Sequence, residues 1–402
     1  MNTLFQNPLH ERLGTWPLAY IPFGGADYGE VAAIAREIGD GDDGRFYDVW
    51  LRAADRVARD AAETLENGQR ATAAALWQKA SVFYATAYHP IYGAPLDPRL
   101  VAAQAKETAA FDKAMSLRDV PGEKLEIPLG DTILPGWLIR STSHPNEVRP
   151  LLILNNGYDS TLSDIYYMAA ASALARGYHC LIFDGPGQGS ALVRNRVPMR
   201  ADWEVVINAV IDVAVEQPGI DTARIALYGM SLGGYLAPRA ASAEPRLAAC
   251  IADPGLWSIV GGFRAQAVRL GIDPDALQQL SKVDDAILDK LQQYIESDRT
   301  MYWTIVQRGY WVHGVTNLRD YLRSAEAFTM EGRAASITCP MLLTHAEDDS
   351  LARGAASFYE ALHGPKTLLR FSTEEGAGDH CEMGNRTLAN RRILDWLDEV
   401  LA

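Results

Sequence analysis

The stretch Gly229-Met230-Ser231-Leu232-Gly233 has the form G-x-S-x-G and is the part of the sequence that decides the fold. Apolar residues 225–228 precede it with the composition of a buried strand, and residues 232–241 follow it with a composition that suits a helix. A strand, a sharp turn and a helix in this order make a nucleophile elbow, which exposes a serine hydroxyl at the end of the strand. Glycines flank the serine because the backbone passes close to neighbouring elements there. The stretch therefore predicts Ser231 as a nucleophile.

The sequence around this elbow alternates between strand and helix patterns. From residue 123 the apolar period changes to two, and Gly130-Asp131 predicts a hairpin between the first two strands. The later elements are predicted as strands 151–155, 178–183, 224–228 and 248–252 and helices 161–176, 203–216 and 232–241. This alternation predicts an α/β fold with a mostly parallel sheet and helices on both faces.

A base and an acid for the serine follow it along the chain. In a sheet with a nucleophile elbow, the acid comes after a late strand and the histidine lies in the last loop. A predicted strand over residues 340–345 precedes Asp349, and a strand over residues 367–371 leads to His380. We therefore predict Ser231 as the nucleophile, His380 as the general base and then acid, and Asp349 as the residue that orients the imidazole.

Asp348 competes with Asp349 for the role of the acid, and Glu347 and Asp253 are further alternatives. Asp348 is adjacent, but the spacing from the strand end and the apolar Leu351 that follows favour Asp349. Asp253 ends the preceding predicted strand, a place from which some hydrolases take the acid. Position along the chain leaves this choice open.

The chemistry also requires an oxyanion hole, whose amide groups stabilise the developing negative charge by about 3 kcal/mol each. The residue after the nucleophile, Leu232, is expected to supply one amide. The apolar run 151–154 ends in Asn155-Asn156-Gly157, so we expect the second amide from Tyr158. An ordinary Asn-Gly turn without a catalytic role is the alternative.

Composition limits the classes of function. A formal charge of −14 and a pI near 5.1 argue against nucleic acids or anionic membranes as partners. The sequence has no charged-then-apolar leader and no apolar run near 18 residues, so we expect a cytoplasmic protein. The loop over residues 184–190 lacks the spacing of a phosphate-binding loop, and no cofactor is expected. No metal is expected either, because the cysteines lack metal-ligand spacing: Cys180, Cys250, Cys339 and Cys381.

The chain divides near residue 120. Residues 1–120 have helical apolar spacing and are predicted to form an N-terminal helical cap domain, and residues 121–402 are predicted to form the catalytic domain. Within the latter, residues 255–335 are an aromatic-rich helical insertion before the acid-bearing strand. An insertion there is expected to stand over the carboxyl ends of the strands, where ligands bind.

Taken together, these features resemble the α/β-hydrolase family, in particular members with a helical N-terminal domain. That group includes 2,6-dihydroxypseudooxynicotine hydrolase, the fungal polyketide-shortening hydrolases and the fermentation-respiration switch protein. The matching motifs are Leu134-Pro135-Gly136, Asn156-Gly157-Tyr158-Asp159-Ser160, Phe183-Asp184-Gly185-Pro186-Gly187-Gln188-Gly189, the Ser231 elbow and Gly378-Asp379-His380-Cys381.

The resemblance implies the same three residues, Ser231, Asp349 and His380, and a pocket between the helical domain and the core, often in a homodimer. Members cleave carbon–carbon bonds next to a ketone, or esters. We therefore expect a cofactor-free serine hydrolase that acts on a ketone or ester of an aromatic or polyketide-like small molecule. A simple carboxylesterase, an acyltransferase and a non-catalytic regulatory protein are the alternatives.

Overall fold

Helices form the N-terminal part of the protein. The computed structural model describes residues 4–269 and 271–402, so residues 1–3 of the predicted helical domain and residue 270 of the predicted insertion lie outside the described residues. The α-helices of this part are α1 Pro8–Gly14, α2 Tyr28–Ile38, α3 Asp43–Glu66, α4 Arg70–Tyr88 and α5 Pro98–Leu117, and 3-10 segments occupy Trp16–Phe23 and His89–Ile91.

Local signals in the sequence set where the long helices begin. The Arg45 amide donates a 2.8 Å hydrogen bond to the Asp42 carboxylate at the start of α3. The Arg99 amide donates a bond of the same length to Asp97 at the start of α5, where Pro98 occupies the first turn. Such caps pair amide groups that a helix start leaves without a partner. Helix α4 packs between α3 and α5, so these helices form one bundle.

Within the described residues, eight strands form one sheet in the order β1-β2-β4-β3-β5-β6-β7-β8. The strands are β1 Glu123–Leu129, β2 Thr132–Ile139, β3 Arg149–Asn155, β4 His179–Phe183, β5 Ile220–Met230, β6 Ala249–Asp253, β7 Met341–Ala346 and β8 Lys366–Phe371. The hairpin β1–β2 and the pair β2–β4 are antiparallel, and every other pair is parallel. The predicted mostly parallel sheet is confirmed.

Helices cover both faces of this sheet, as crossover connections between parallel strands require. Strands β4 and β6 are buried along their whole length, which explains why they read as continuous apolar runs. A π-helical segment, Tyr166–Ala170, joins α6 to α7 where a regular helix was predicted. The helices up to the elbow are α6 Leu162–Ile165, α7 Ala171–Ala175, α8 Gly189–Val193, α9 Glu204–Val215 and α10 Gly233–Ala241.

The segment between β6 and β7 is helical and has apolar packing of its own. Its elements are α11 Gly261–Arg269, α12 Asp285–Glu296, α13 Arg299–Tyr302, the π-helical Trp303–Gly309, α14 Tyr310–His313 and α15 Leu318–Glu326, with 3-10 segments at Pro274–Leu277, Leu280–Lys282 and Ala334–Ser336. Buried residues such as Leu291, Ile295 and Leu322 form a cluster separate from the main core of the described chain.

A 3-10 segment and two α-helices accompany β7 and β8 in the C-terminal part of the chain. A 3-10 segment, Ser350–Gly354, follows β7 and leads into α16 Ala355–Ala361. After β8 a loop leads to α17 Arg386–Val400. None of the described helices is both long enough and apolar enough to span a membrane.

Candidate active site

Ser231 lies in the sharp turn between β5 and α10. Its φ of 59° is in the left-handed region, which a serine adopts only where its surroundings hold it there. The Ser231 amide donates a 2.7 Å hydrogen bond to the carbonyl oxygen of Asp253, and this bond fixes the turn to the end of β6. A Cβ atom at Gly229 would collide with the Gly233 carbonyl, and one at Gly234 would collide with that of Pro254. Gly229 and Gly234 are therefore required by close backbone approach.

A chain of hydrogen bonds runs from this serine through an imidazole to a carboxylate. Ser231 Oγ lies 2.9 Å from His380 Nε2, and His380 Nδ1 lies 2.8 Å from Asp349 Oδ2. An ionised carboxylate only accepts hydrogen bonds, so Nδ1 carries the proton and Nε2 accepts from the serine hydroxyl. Burial opposes ionisation of Asp349, but the charge and hydrogen bond of His380 lower its pKa. The arrangement is able to remove a proton from Ser231.

The three competing acids have other hydrogen-bond partners. Glu347 accepts a 2.8 Å hydrogen bond from the Thr373 amide. Asp348 accepts a 2.8 Å hydrogen bond from the hydroxyl of Thr373. Asp253 is buried and accepts hydrogen bonds from the Tyr228 hydroxyl at 2.7 Å and from Arg386 at 2.9 Å. The structure therefore brings Asp349, rather than Asp348 or Asp253, against the imidazole.

The loop after β3 approaches the elbow closely. A Cβ atom at Gly157 would lie 2.7 Å from Ser231 Cβ and 3.0 Å from the Leu232 amide nitrogen, so this position has room only for glycine. Among the described residues, neither the Leu232 amide nor the Tyr158 amide donates a hydrogen bond to a backbone carbonyl. Gln188 holds the loop, because its Nε2 donates to the carbonyl oxygens of Asn156 at 2.7 Å and Gly157 at 2.8 Å.

A cavity of about 560 Å³ opens on Ser231 and His380. The insertion contributes Phe263, Tyr294 and Trp303 to its lining, whereas other aromatic residues of the insertion lie outside that lining: Trp257, Tyr302, Tyr310 and Trp311. Tyr310 belongs instead to the separate apolar cluster of the insertion. The cavity is thus formed between the insertion, the sheet and the N-terminal helices, which contribute Trp16.

Polar contacts join the insertion to the loop after β3. Arg308 donates a 2.8 Å hydrogen bond to Asp159, and its guanidinium lies 4.7 Å from the ring centre of Tyr158. The Tyr158 hydroxyl lies 2.6 Å from His313 Nε2. Burial, with a smaller effect of Arg308, lowers the pKa of His313 to about 4, so this imidazole is neutral at physiological pH. These contacts hold the insertion against the loop after β3, and both segments line the cavity.

Two functional features were missed by sequence reasoning. Gln188 supports the loop that carries Tyr158, although its segment was interpreted only as a tight turn. Arg12 of α1 lines the cavity, and α1 itself was not predicted. The signal for that helix was present: the Asn7 side chain accepts a hydrogen bond from the Leu9 amide at 2.9 Å, as an N-cap before a first-turn proline does.

The described residues contain no group of three or more His, Cys, Asp or Glu side chains placed to hold a metal ion. The four cysteines are free, and three of them are buried. Cys381, interpreted from the sequence as a loop thiol, lies with its Sγ 3.6 Å from His380 Nε2 and donates to the Asp253 carbonyl. Burial raises the pKa of this thiol, which favours its neutral form.

Comparisons with known proteins agree with the fold and the order of the motifs. Residues 151–389 match the alpha/beta hydrolase family. The chain is 31% identical over 402 residues to the 20-hydroxy-prefusarin hydrolase FUS2 of Gibberella moniliformis, covering 96% of this chain and 94% of that one. It is 32% identical over 415 residues to the hydrolase LUC6 of a Fusarium species, covering 99% and 96%. The crystal structure of 2,6-dihydroxy-pseudo-oxynicotine hydrolase shares the fold, with a TM-score of 0.75 and 21% identity over 96% of each chain.

Proposed function

Because this chain belongs to the alpha/beta hydrolase family, we propose that it is a cofactor-free serine hydrolase that cleaves a ketone or an ester of an aromatic or polyketide-like small molecule. The observation that carries the proposal is the hydrogen-bonded series Ser231–His380–Asp349 at the floor of a cavity with an aromatic lining. Each residue then has a distinct role in the reaction.

In the first step, Ser231 Oγ attacks the substrate carbonyl while His380 Nε2 takes the serine proton. Asp349 keeps the imidazole in the tautomer that accepts this proton and stabilises the imidazolium that forms. The carbonyl oxygen becomes negatively charged, and the amides of Leu232 and Tyr158 donate to it. Collapse of this intermediate breaks the bond to the leaving group, which takes the proton from His380.

In the second step, water attacks the acyl group on Ser231. His380 removes a proton from that water and then returns it to the serine oxygen, so the carboxylic acid product leaves and the enzyme is restored. The two steps together consume one water molecule. An ester would release an alcohol, and a ketone would release a carbon leaving group protonated by His380.

The lining of the cavity supports the carbon–carbon version. A carbanion is a poor leaving group in water, and its expulsion requires a site that excludes bulk solvent and holds an acid close by. The aromatic side chains of Phe263, Tyr294 and Trp303 provide an apolar wall in the cavity that contains Ser231, and the imidazolium of His380 is the acid. A simple carboxylesterase needs the same catalytic residues, but an alkoxide leaving group depends less on such an apolar wall.

The test is turnover of paired aryl β-diketones and aryl esters by the wild type and by Ser231→Ala, with products identified by mass spectrometry. Diketone cleavage that disappears in Ser231→Ala supports the carbon–carbon version. Rapid ester cleavage without any diketone cleavage would replace it with an esterase. Transfer of the acyl group to added alcohols in preference to water would instead make the protein an acyltransferase.

Labelling by a fluorophosphonate separates all of these from a non-catalytic protein. We expect the probe to modify Ser231 in the wild type and to leave Ser231→Ala unmodified. A folded wild type that the probe does not modify would contradict the proposed function in every version.

A further inference from the structure

Arg12 reaches the substrate cavity from the first helix of the chain. It lies in the last turn of α1, and it lines the same cavity as Ser231 and His380. Arg12 is an exposed residue, and part of its surface lines the cavity. An arginine at this place presents a planar, charged group to whatever the cavity binds.

The other charged side chains that line the cavity have hydrogen-bond partners within the protein. Asp159 accepts from Arg308, and Asp349 accepts from His380. Two further carboxylates are also bonded, Asp348 to the hydroxyl of Thr373 and Asp379 to the amide of Gly384. Arg12, by contrast, forms no hydrogen bond or ion pair with any described residue, and it interacts with its charged neighbours only at longer range.

The surroundings of Arg12 disfavour its charge. Burial among neighbouring groups, followed by repulsion from Arg308, lowers the pKa of Arg12, and the charges of Asp159 and Asp349 only partly oppose this. A partly desolvated cation without a paired acid is unfavourable. Binding of an anionic group would therefore recover free energy at this position.

Helix α1 is held firmly enough to place this guanidinium. His10 Nε2 lies 2.8 Å from Asp43 Oδ1, and Arg299 of the insertion donates a 2.6 Å hydrogen bond to the other oxygen of the same carboxylate. The Glu11 carboxylate accepts from the amides of Leu4 and Phe5. Helix α1, which carries Arg12, is therefore held in place by contacts with both α3 and the insertion.

We propose that Arg12 binds a carboxylate carried by the substrate and so makes this hydrolase selective for acidic substrates. The inference rests on the proposed function, because the bound group belongs to the molecule that Ser231 attacks. A guanidinium matches a carboxylate with two parallel N–H···O bonds, which makes arginine better suited to this task than a lysine ammonium.

The test uses p-nitrophenyl esters of linear dicarboxylic acids with six to ten carbons, each free at its other end. Each is paired with the same chain ending in a neutral carboxamide. We expect the wild type to prefer the acid at one chain length by about 10- to 100-fold in kcat/KM, the range for a charge-assisted hydrogen bond. Arg12→Gln should reduce the ratio to near one. Arg36→Gln in α2 removes the same charge outside the cavity lining and should keep the preference of the wild type.

Equal rates on both members of every pair in the wild type, or a preference that survives in Arg12→Gln, would overturn the role of Arg12. In either case, turnover of the carboxamide chain would leave the proposed hydrolase standing. If neither member is turned over, calorimetric titration with 6-phenylhexanoate and 6-phenylhexanamide tests Arg12 separately. If the wild type binds 6-phenylhexanoate more tightly than 6-phenylhexanamide and Arg12→Gln loses this difference, the result supports the carboxylate site. If the wild type binds both probes equally, the result overturns it.

Discussion

Arg386 Nη1 lies 2.9 Å from Asp253 Oδ2 in the buried interior, directly behind the candidate active site. The same nitrogen donates a 2.7 Å hydrogen bond to the carbonyl oxygen of Cys381, the residue after His380. Asp253 in turn accepts the Ser231 amide through its own carbonyl. One ion pair therefore anchors both the turn that carries the serine and the loop that carries the histidine.

Removal of this cation should destabilise the protein and lower kcat together. Arg386→Met leaves the Asp253 carboxylate buried without a counter-charge, which costs about 3–5 kcal/mol in the free energy of unfolding. Arg386→Lys keeps the charge but is unable to reach all the acceptors, so a smaller loss of stability and a fall in kcat with little change in KM are expected. Guanidinium unfolding and steady-state kinetics measure both effects.

The control for that experiment lies on the same helix. Arg392 pairs with Glu375 near the surface, and a pair of this kind contributes about 0–1 kcal/mol. Arg392→Lys should therefore leave the free energy of unfolding and kcat close to their wild-type values. Equal effects at positions 386 and 392 would show that the buried pair has no special role in anchoring the site.

Replacement of adjacent carboxylates should separate the acid that orients His380 from its neighbour. In Asp349→Asn the side-chain amide favours the wrong tautomer of the imidazole, and we expect kcat/KM to fall by roughly 10⁴-fold. Asp348→Asn changes a contact with Thr373 and removes one charge from the cavity lining, and it should reduce kcat/KM by less than about tenfold. Kinetics with one ester substrate compare the two variants, and the reverse order of effects would assign the acid to Asp348.

A methyl group at Gly157 should disturb the oxyanion region. The added Cβ would lie 3.0 Å from the Leu232 amide nitrogen and closer still to Ser231 Cβ, so the loop and the elbow must move apart. For Gly157→Ala we expect kcat to fall about 100-fold, the effect of losing one oxyanion donor. Gly29→Ala is the matched control, because nothing lies within 4 Å of its Cβ position in α2. Normal kcat in Gly157→Ala would argue against this loop as a donor.

Glu107 should make stability depend on pH. Burial raises the pKa of this carboxyl to about 8, although the Tyr88 hydroxyl, 2.6 Å away, opposes the shift. An unfolded glutamate has a pKa near 4.3, so between about pH 5 and 8 the unfolded chain releases a proton that the folded chain keeps. The free energy of unfolding therefore falls as pH rises, by up to about 1.4 kcal/mol per pH unit from this group.

Guanidinium unfolding at pH 5.5, 6.5 and 7.5 measures this slope. Glu107→Gln should make it less steep, because the amide does not titrate. The exposed Glu126 provides the control, and Glu126→Gln should keep the wild-type slope. Identical slopes in the wild type and Glu107→Gln would contradict a buried protonated carboxyl at this position.

Much of this architecture was predictable from local patterns. The change of apolar period at residue 123 predicted where the strands begin. The alternation of strands with helices after that point predicted a mostly parallel sheet, because each parallel strand is followed by a helix that crosses back over the sheet. The spacing favoured Asp349 over Asp348 but left the choice open, since adjacent side chains in a turn point in different directions set by its dihedral angles. The place of Arg12 in the cavity lining was also hidden, because a helix of seven residues has little periodicity and its position over the cavity depends on distant contacts.

The separate apolar cluster of the insertion has a consequence for the evolution of this protein. Several of its residues, such as Leu291, Ile295 and Tyr321, also line the cavity, so substitutions in this wall act first on the packing of the insertion and not on the strands that hold the serine. Substrate range and the stability of the sheet thus depend on partly different sets of residues. Selection for a new substrate, in nature or in a directed library, is able to remodel the first set while the second continues to supply the same chemistry.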